Sequence, residues 1–291
     1  MTPTIDQALQ GVKQTALSAL EGQLLMLHAL GRSSEQRAWL IAHGDEHLSE
    51  KEHADFERHV KSRLNHMPLS YLTGYKEFYG LKLSVDPRVL DPRADTETLV
   101  DWALECLEAP GPGSSSLGAH VLDMGTGSGA IALALKANRP ACSIWALDKS
   151  QEALELATRN AHDLALDLNF LHGHWFDAFK HVQDKDALGP FDLIVSNPPY
   201  IAPNDPHLAR LHHEPSEALV AQNEGLSDLI EICTQSVSHL KDGAWLLLEH
   251  GHDQGADVRE ILTSLGFSNT QTRHDLAGIE RCTGAQWLKM K

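Results

Sequence analysis

The tetrapeptide Asn197-Pro198-Pro199-Tyr200 follows the apolar run Phe191-Asp192-Leu193-Ile194-Val195-Ser196 without a break. The Asn197 side-chain oxygen can accept one N–H of a planar amide or amino group. The Pro198 carbonyl can accept the other N–H, and paired prolines stiffen the backbone that carries it. Tyr200 can stack on the flat group. A planar nitrogen is a poor nucleophile, because its lone pair is delocalised, so a site that acts on it must orient it. The chemistry these residues suit is methylation of such a nitrogen, by in-line transfer with proton loss during or after it. Asn197, Pro198 and Tyr200 are the catalytic candidates, and Pro199 joins them as a substrate-binding candidate. Taken alone, the tetrapeptide also reads as a plain turn, and it does not distinguish a glutamine amide from an adenine amino group.

A second cluster lies upstream, in Val121-Leu122-Asp123-Met124-Gly125-Thr126-Gly127-Ser128-Gly129. Glycines at alternate positions let a backbone turn tightly and approach a ligand. The loop opens a helix, whose free N–H groups favour electron-rich ligand atoms. Asp148 closes the next apolar run, Trp145-Ala146-Leu147-Asp148, one strand-helix-strand step after Asp123. An acidic residue there can accept hydrogen bonds from both hydroxyls of a ribose. The spacing differs from the GxGxxG of dinucleotide oxidoreductases, and no Walker lysine follows. The pattern suits S-adenosylmethionine, with Asp123 towards its cationic methionyl end. Asp123, Gly125, Thr126, Gly127, Gly129 and Asp148 are the cofactor candidates. In an open α/β sheet, sites form beyond the carboxyl ends of strands. Asn197 therefore emerges in the same crevice and borders the cofactor too.

The elements that must hold these residues can be read outward. Residues 1–70 are helical in texture, with Leu9, Val12, Ala16, Leu20 and Leu24 near helical spacing. Leu24 to Leu27 is an apolar run that needs burial, and Ala38 to Ile41 begins a further short helix. Ser49 and Glu52 form a capping-box pattern for a helix over about 50–64. From Pro68 the texture turns hairpin-like, with a strand at Leu81 to Val85, and Asp95-Thr96-Glu97 opens a helix to about Glu108. APGPGSSS at 109–116 reads as a loop. Strands are predicted at His120–Asp123, Ser143–Asp148, Asn169–His172, Phe191–Ser196, Ala244–Glu249 and near Ala285–Leu288. Helices are predicted over 128–137, 150–166, 225–239 and 252–264. This alternation implies an α/β domain with a parallel sheet covered by helices on both faces.

Bulk properties narrow the partners. The chain has 291 residues and a net charge of −16. Nucleic-acid partners demand a basic face, so the acidic balance favours a protein or small-molecule substrate. No apolar run approaches a membrane span, and the first ten residues lack a secretory pattern, which points to a cytoplasmic protein. Four scattered cysteines form no CxxC pair and read as small buried hydrophobes, and the scattered histidines suggest no metal site.

With these motifs in place, the chain resembles the HemK/PrmC family, methyltransferases of the glutamine in the Gly-Gly-Gln motif of class 1 peptide chain release factors. The resemblance runs through Pro68-Leu69-Ser70-Tyr71-Leu72-Thr73-Gly74, Glu77-Phe78-Tyr79-Gly80-Leu81 and Asp91-Pro92-Arg93-Ala94-Asp95-Thr96-Glu97. It continues in Asn197 to Ile201, in Asp205-Pro206-His207-Leu208 and in Leu248-Glu249-His250-Gly251. Ala94 stands where many members carry proline, and the stretch Ala221 to Leu226 is less glycine-rich than in many members.

The resemblance implies a seven-stranded Rossmann-like class I S-adenosylmethionine-dependent methyltransferase domain at 95–291. A helical substrate-docking domain at 1–70 and a β-hairpin linker at 71–94 would precede it. It implies N5 methylation of a release-factor glutamine, modulating translation termination, with S-adenosylhomocysteine as the product. Asp148 would hold the ribose, Trp175 and Phe176 would lie near the adenine, and Asn197, Pro198 and Tyr200 would bind the glutamine. Arg93 would lie close to the site. The expected partner is the release factor, with no direct nucleic-acid or membrane contact, in a monomeric enzyme without metal.

Three alternatives stay in view. A ribosomal-protein glutamine methyltransferase shares the tetrapeptide, and Asn204-Asp205-Pro206-His207-Leu208 favours the release-factor branch over it. An adenine N6-methyltransferase can share the loop, but a basic surface and a target-recognition domain are missing. A non-catalytic cofactor-binding module has no need of an intact Asn197 and Tyr200.

Overall fold

A computed structural model describes residues 1–108, 118–182 and 188–289; the loop expected at 109–116 lies outside them. The chain divides into two compact units, Met1–Tyr75 and Lys76–Lys291.

The first unit is built of helices α1 (Ile5–Val12), α2 (Ala19–Ala29), α3 (Arg37–Ala42), α4 (Glu50–Leu64) and α5 (Leu69–Thr73). Capping boxes open three of them, at Thr4, Ser18 and Ser49, each closed by a Gln or Glu side chain returning to the cap N–H. The Ser18 box divides the helical face expected from Leu9 to Leu24 into two helices. Leu20, just inside the second, consequently lies 47% exposed. Leu25, Met26 and Leu27 are buried with Ile5, Leu40, Phe56 and Val60 in one core.

A two-stranded hairpin, β1 (Tyr75–Phe78) and β2 (Leu81–Ser84), leads into α6 (Glu97–Glu108). Asn160 ties β2 down: its amide accepts from Ser84 N at 2.8 Å and donates to Ser84 O at 3.0 Å and Ser128 O at 2.9 Å. One buried side chain thus satisfies three backbone groups that would otherwise be desolvated without partners.

The second unit is a seven-stranded sheet. Its strands are β3 (His120–Met124), β4 (Ser143–Asp148), β5 (Asn169–His172), β6 (Phe191–Ser196), β7 (Leu240–Glu249), β8 (Ser268–His274) and β9 (Glu280–Gln286), in the order β5-β4-β3-β6-β7-β9-β8. Helices α7 (Ala130–Asn138), α8 (Gln151–Asp163), α9 (Ser227–Ser236) and α10 (Gly255–Ser264) alternate with the strands. Successive strand residues point to opposite faces. Val121, Leu193 and Leu247 therefore pack on one side with α6 and α7, while Leu122, Ile194 and Leu246 pack on the other with α9 and α10.

The sheet is parallel only from β5 to β7. Strand β9 runs antiparallel to β7 and β8, so the sheet is mixed, and the parallel pairing expected from the strand–helix alternation ends at β7. The sequence of β8, SNTQTRH, has no apolar alternation because it is an edge strand with little to bury, and this hid it from periodicity. All four cysteines are free thiols; Cys142, Cys233 and Cys282 are buried and Cys106 is half-buried. Among the described residues, no helix is long and apolar enough to cross a membrane.

Candidate active site

Register brings the chemistry together. Met124 pairs with Leu147 on β4 and with Ser196 on β6, and Ser196 pairs with Leu248 on β7. The next residue along each strand stands in one row at the carboxyl edge of the sheet: Gly125 and Asn197 just past their strands, Asp148 and Glu249 as the last residues of theirs. The Ser196 hydroxyl donates to Met124 O at 2.6 Å and holds two of these strand ends level.

A cavity of about 470 Å³ lies over this row, lined by Gly125, Gly127, Asp148, Trp175, Asn197 and Pro199 among others. Its opposite wall comes from Leu90 and from Ser216 to Ala218. Asp148 sits at its edge. One carboxylate oxygen accepts from Gly127 N at 2.8 Å and the other from Ser150 N at 2.9 Å. Each oxygen keeps a second lone pair for a ligand hydroxyl. Burial pushes the Asp148 carboxyl up and these backbone amides pull it back. Trp175 lies against the glycine loop, and its Nε1 donates to Asp228 at 3.1 Å. A Cβ at Gly125 would stand 3.4 Å from the indole, and the backbone φ there is +74°, so glycine suits both the turn and the contact.

Four expected cofactor residues do not line this cavity. Asp123 is fully buried; its Oδ2 accepts from the Thr126 hydroxyl at 2.6 Å and from Ala132 N at 3.2 Å. It clasps the loop to helix α7, and its other oxygen, Oδ1, has no protein partner. Burial pushes its carboxyl up to about 7. Thr126 turns inward to make the Asp123 bond. Gly129 caps α7 with φ +85°, and a Cβ there would meet Leu133 at 2.9 Å. Phe176 is directed away altogether: it stacks on His239 at 4.4 Å and borders a different cavity. Adjacent residues in the 3-10 segment Trp175–His181 diverge, so Trp175 borders the first cavity and Phe176 another.

A second cavity of about 310 Å³ adjoins the first, lined by Arg93, Asn197, Pro198, Tyr200, His207 and Arg210 among others. Asn197, Leu90 and Ala218 are common to both. Pro198 thus faces the second cavity and Pro199 the first. Arg93 pairs with Glu214 at 2.5 Å and lies 3.6 Å from Asp91. Asp91 N in turn donates to Glu214 at 3.1 Å, closing a small buried network beneath the cavity wall. Gly225, with φ +87°, packs against the tetrapeptide: a Cβ there would stand 2.1 Å from Tyr200 O.

Two residues behind the tetrapeptide escaped sequence reasoning. The Asn197 Nδ2 donates to Thr96 Oγ1 at 3.2 Å, which leaves Asn197 Oδ1 to face the cavities. The Tyr200 hydroxyl donates to Glu249 Oε1 at 3.1 Å. Burial pushes Glu249 up to about 7, against the pull of Thr96, Tyr200 and Arg281. Burial and the Glu249 charge push the Tyr200 phenol up, keeping it a hydrogen-bond donor. A signal for Glu249 did exist, since it is an acidic residue closing an apolar strand at the carboxyl edge of the sheet.

Residues 102–221 match the methyltransferase small domain, and residues 5–74 match the PrmC N-terminal domain. A release factor glutamine methyltransferase of Burkholderia pseudomallei is 40% identical over 98% of this chain and 97% of the relative. Its counterpart in Escherichia coli is 38% identical over 95% of each chain. Among solved structures, a methyltransferase from Pyrococcus furiosus aligns with a TM-score of 0.50 at 17% identity, over 72% of this chain and 90% of that one. A 16S rRNA methyltransferase from T. thermophilus aligns with a TM-score of 0.52 at 17% identity, over 73% of this chain and 49% of that one. Both share the fold.

Proposed function

We propose, because this chain belongs to the release factor glutamine methyltransferase family, that it methylates the side-chain nitrogen of the glutamine in the Gly-Gly-Gln motif of a class 1 release factor. The donor in this reading is S-adenosylmethionine. The observation that carries it is the meeting of two cavities at Asn197, one suited to a nucleoside and one to a short planar side chain.

The residues of the larger cavity fit the donor. Asp148 is an acceptor for the ribose hydroxyls, Trp175 gives a flat apolar surface for the adenine, and Gly125 and Gly127 leave room for close approach. Behind the glycine loop, the unpartnered Oδ1 of Asp123 would be an acceptor for the methionyl ammonium through water. When bound, S-adenosylmethionine supplies an electrophilic methyl group on a sulfonium.

The remaining steps belong to this chain's residues. Asn197 Oδ1 accepts one N–H of the target amide, and the Pro198 carbonyl accepts the other. Tyr200 packs on the planar group, its hydroxyl anchored on Glu249. The glutamine nitrogen, held with its lone pair towards the larger cavity, would bond to the methyl as the methyl–sulfur bond breaks, leaving S-adenosylhomocysteine, and would give up one proton to solvent water during or after the transfer. Orientation and exclusion of water provide the rate.

The test is transfer of labelled methyl from S-adenosylmethionine to a purified release factor, with the modified residue located by mass spectrometry. Label on the Gly-Gly-Gln glutamine supports the reading. Label only on a ribosomal protein, or only on DNA, overturns the substrate assignment.

A further inference from the structure

Asparagine presents a problem that its shape does not solve. The oxygen and the NH2 of its amide occupy nearly the same volume, yet only one orientation serves the proposed reaction. With Oδ1 towards the acceptor, Asn197 accepts an N–H. With the amide reversed, two NH2 groups would face each other and the target nitrogen would be repelled. Something behind Asn197 must distinguish its two ends.

Thr96 and Glu249 supply that distinction. Asn197 Nδ2 lies 3.2 Å from Thr96 Oγ1. A threonine hydroxyl carries one hydrogen and two lone pairs, so alone it could donate to an amide oxygen as readily as accept from an amide NH2. Which it does depends on where its hydrogen goes. The Thr96 hydroxyl sits beside the carboxylate of Glu249 and steadies its charge. Glu249 is 1% exposed, its Oε1 already takes the Tyr200 hydroxyl at 3.1 Å, and its Oε2 has no partner. Above about pH 7 the Glu249 carboxyl is ionised and is only an acceptor. It draws the Thr96 hydrogen towards itself, the Thr96 lone pairs then face Asn197, and only the NH2 end of Asn197 can meet them. Charge-assisted bonds of this kind are stronger than neutral ones, so the direction of the chain is set at the Glu249 end.

We infer that Thr96 and Glu249 are positioning residues: Glu249 directs the Thr96 hydroxyl, the hydroxyl selects the amide orientation of Asn197, and the same carboxylate anchors Tyr200. Two side chains of the acceptor site would thus be set from one buried group. This deepens the proposed methyl transfer and rests on it. Thr96 sits in a 3-10 turn at Ala94–Thr96, just before α6, so the segment entering the domain would also orient its reacting end.

The test compares T96V, T96A and T96S in the full chain, using the release-factor assay and calorimetric titration with S-adenosylmethionine. T96V keeps the shape and removes the hydroxyl. Its kcat should fall roughly tenfold or more, as expected when a transition-state orientation is lost. The dissociation constant for S-adenosylmethionine should change by less than about threefold. T96S restores the hydroxyl and should return to within about threefold of the wild-type kcat. If T96V does not fold, T96A against T96S decides the matter, because both lose the methyl and only serine keeps the hydroxyl. Wild-type kcat in T96V or T96A, or equal impairment in T96S and T96A, overturns the relay. Failure of the wild-type protein to methylate the release factor would instead overturn the functional reading, so the two failures are distinguishable.

Discussion

Replacing Glu249 with glutamine should make the protein more stable at alkaline pH while damaging its site. The unfolded chain releases the Glu249 proton near the ordinary value of 4.5, whereas the folded protein holds it to about 7 because the carboxyl is buried. Between those values the folded state binds more protons than the unfolded state, so this group's contribution to stability falls as pH rises. Above about 7 the loss is complete. The interval is roughly 2.5 pH units, and at about 1.4 kcal/mol per unit it amounts to about 3 kcal/mol. Glutamine has nearly the same shape, stays neutral throughout and can still accept from Tyr200. The E249Q variant should therefore match the wild type near pH 5 and exceed it by up to about 3 kcal/mol near pH 8. Asp123 is also raised to about 7, but it is present in both proteins and cancels in the difference. Urea unfolding of the two proteins across that range measures the quantity directly. A stability difference that stays constant with pH would show that the Glu249 proton is held no more tightly in the fold than out of it, and the reasoning would fail.

Other perturbations separate the two cavities. N197A should lower kcat by at least about a hundredfold, with cofactor affinity largely kept; a titration that loses the cofactor as well would place Asn197 mainly in the larger cavity. D148N keeps the shape but turns one acceptor oxygen into a donor facing either Gly127 N or Ser150 N. It should weaken cofactor binding by about 1.5–3 kcal/mol, the usual worth of a charged hydrogen bond, read by calorimetry. G225A forces a Cβ into the Tyr200 carbonyl, so kcat should fall while cofactor affinity holds; unchanged kcat would mean that the loop yields without moving the acceptor side.

The strand positions were legible because buried parallel strands are short apolar runs with sharp ends. Ser143–Asp148, Asn169–His172 and Phe191–Ser196 coincide with the observed strands. Strand β8 was not, since a polar edge strand carries no hydrophobic signal. The same limit applied at the site. Asp148, Asn197 and Tyr200 are chemically conspicuous at strand ends, and the structure brings them to the two cavities. The orientation of Phe176 depended on a backbone turn that spacing cannot reveal: Trp175 adopts φ +41°, which swings its neighbour into the core. Thr96 precedes Asn197 by about a hundred residues, and their contact exists only once the sheet has formed. Local patterns disclosed which groups could react, while long-range packing decided which groups hold them.

The wall shared by the two cavities has a pharmacological consequence. Leu90, Asn197 and Ala218 are the residues that both cavities touch. A bisubstrate inhibitor, with a nucleoside at one end and a short planar amide at the other, would have to cross at that wall. Such a molecule needs its bridge to pass beside the Asn197 amide. Its selectivity would come from the smaller chamber, where Arg93, His207 and Arg210 surround the amide end. The nucleoside end, set against Asp148, Trp175 and the glycine loop, would contribute affinity shared with many other nucleoside-binding enzymes.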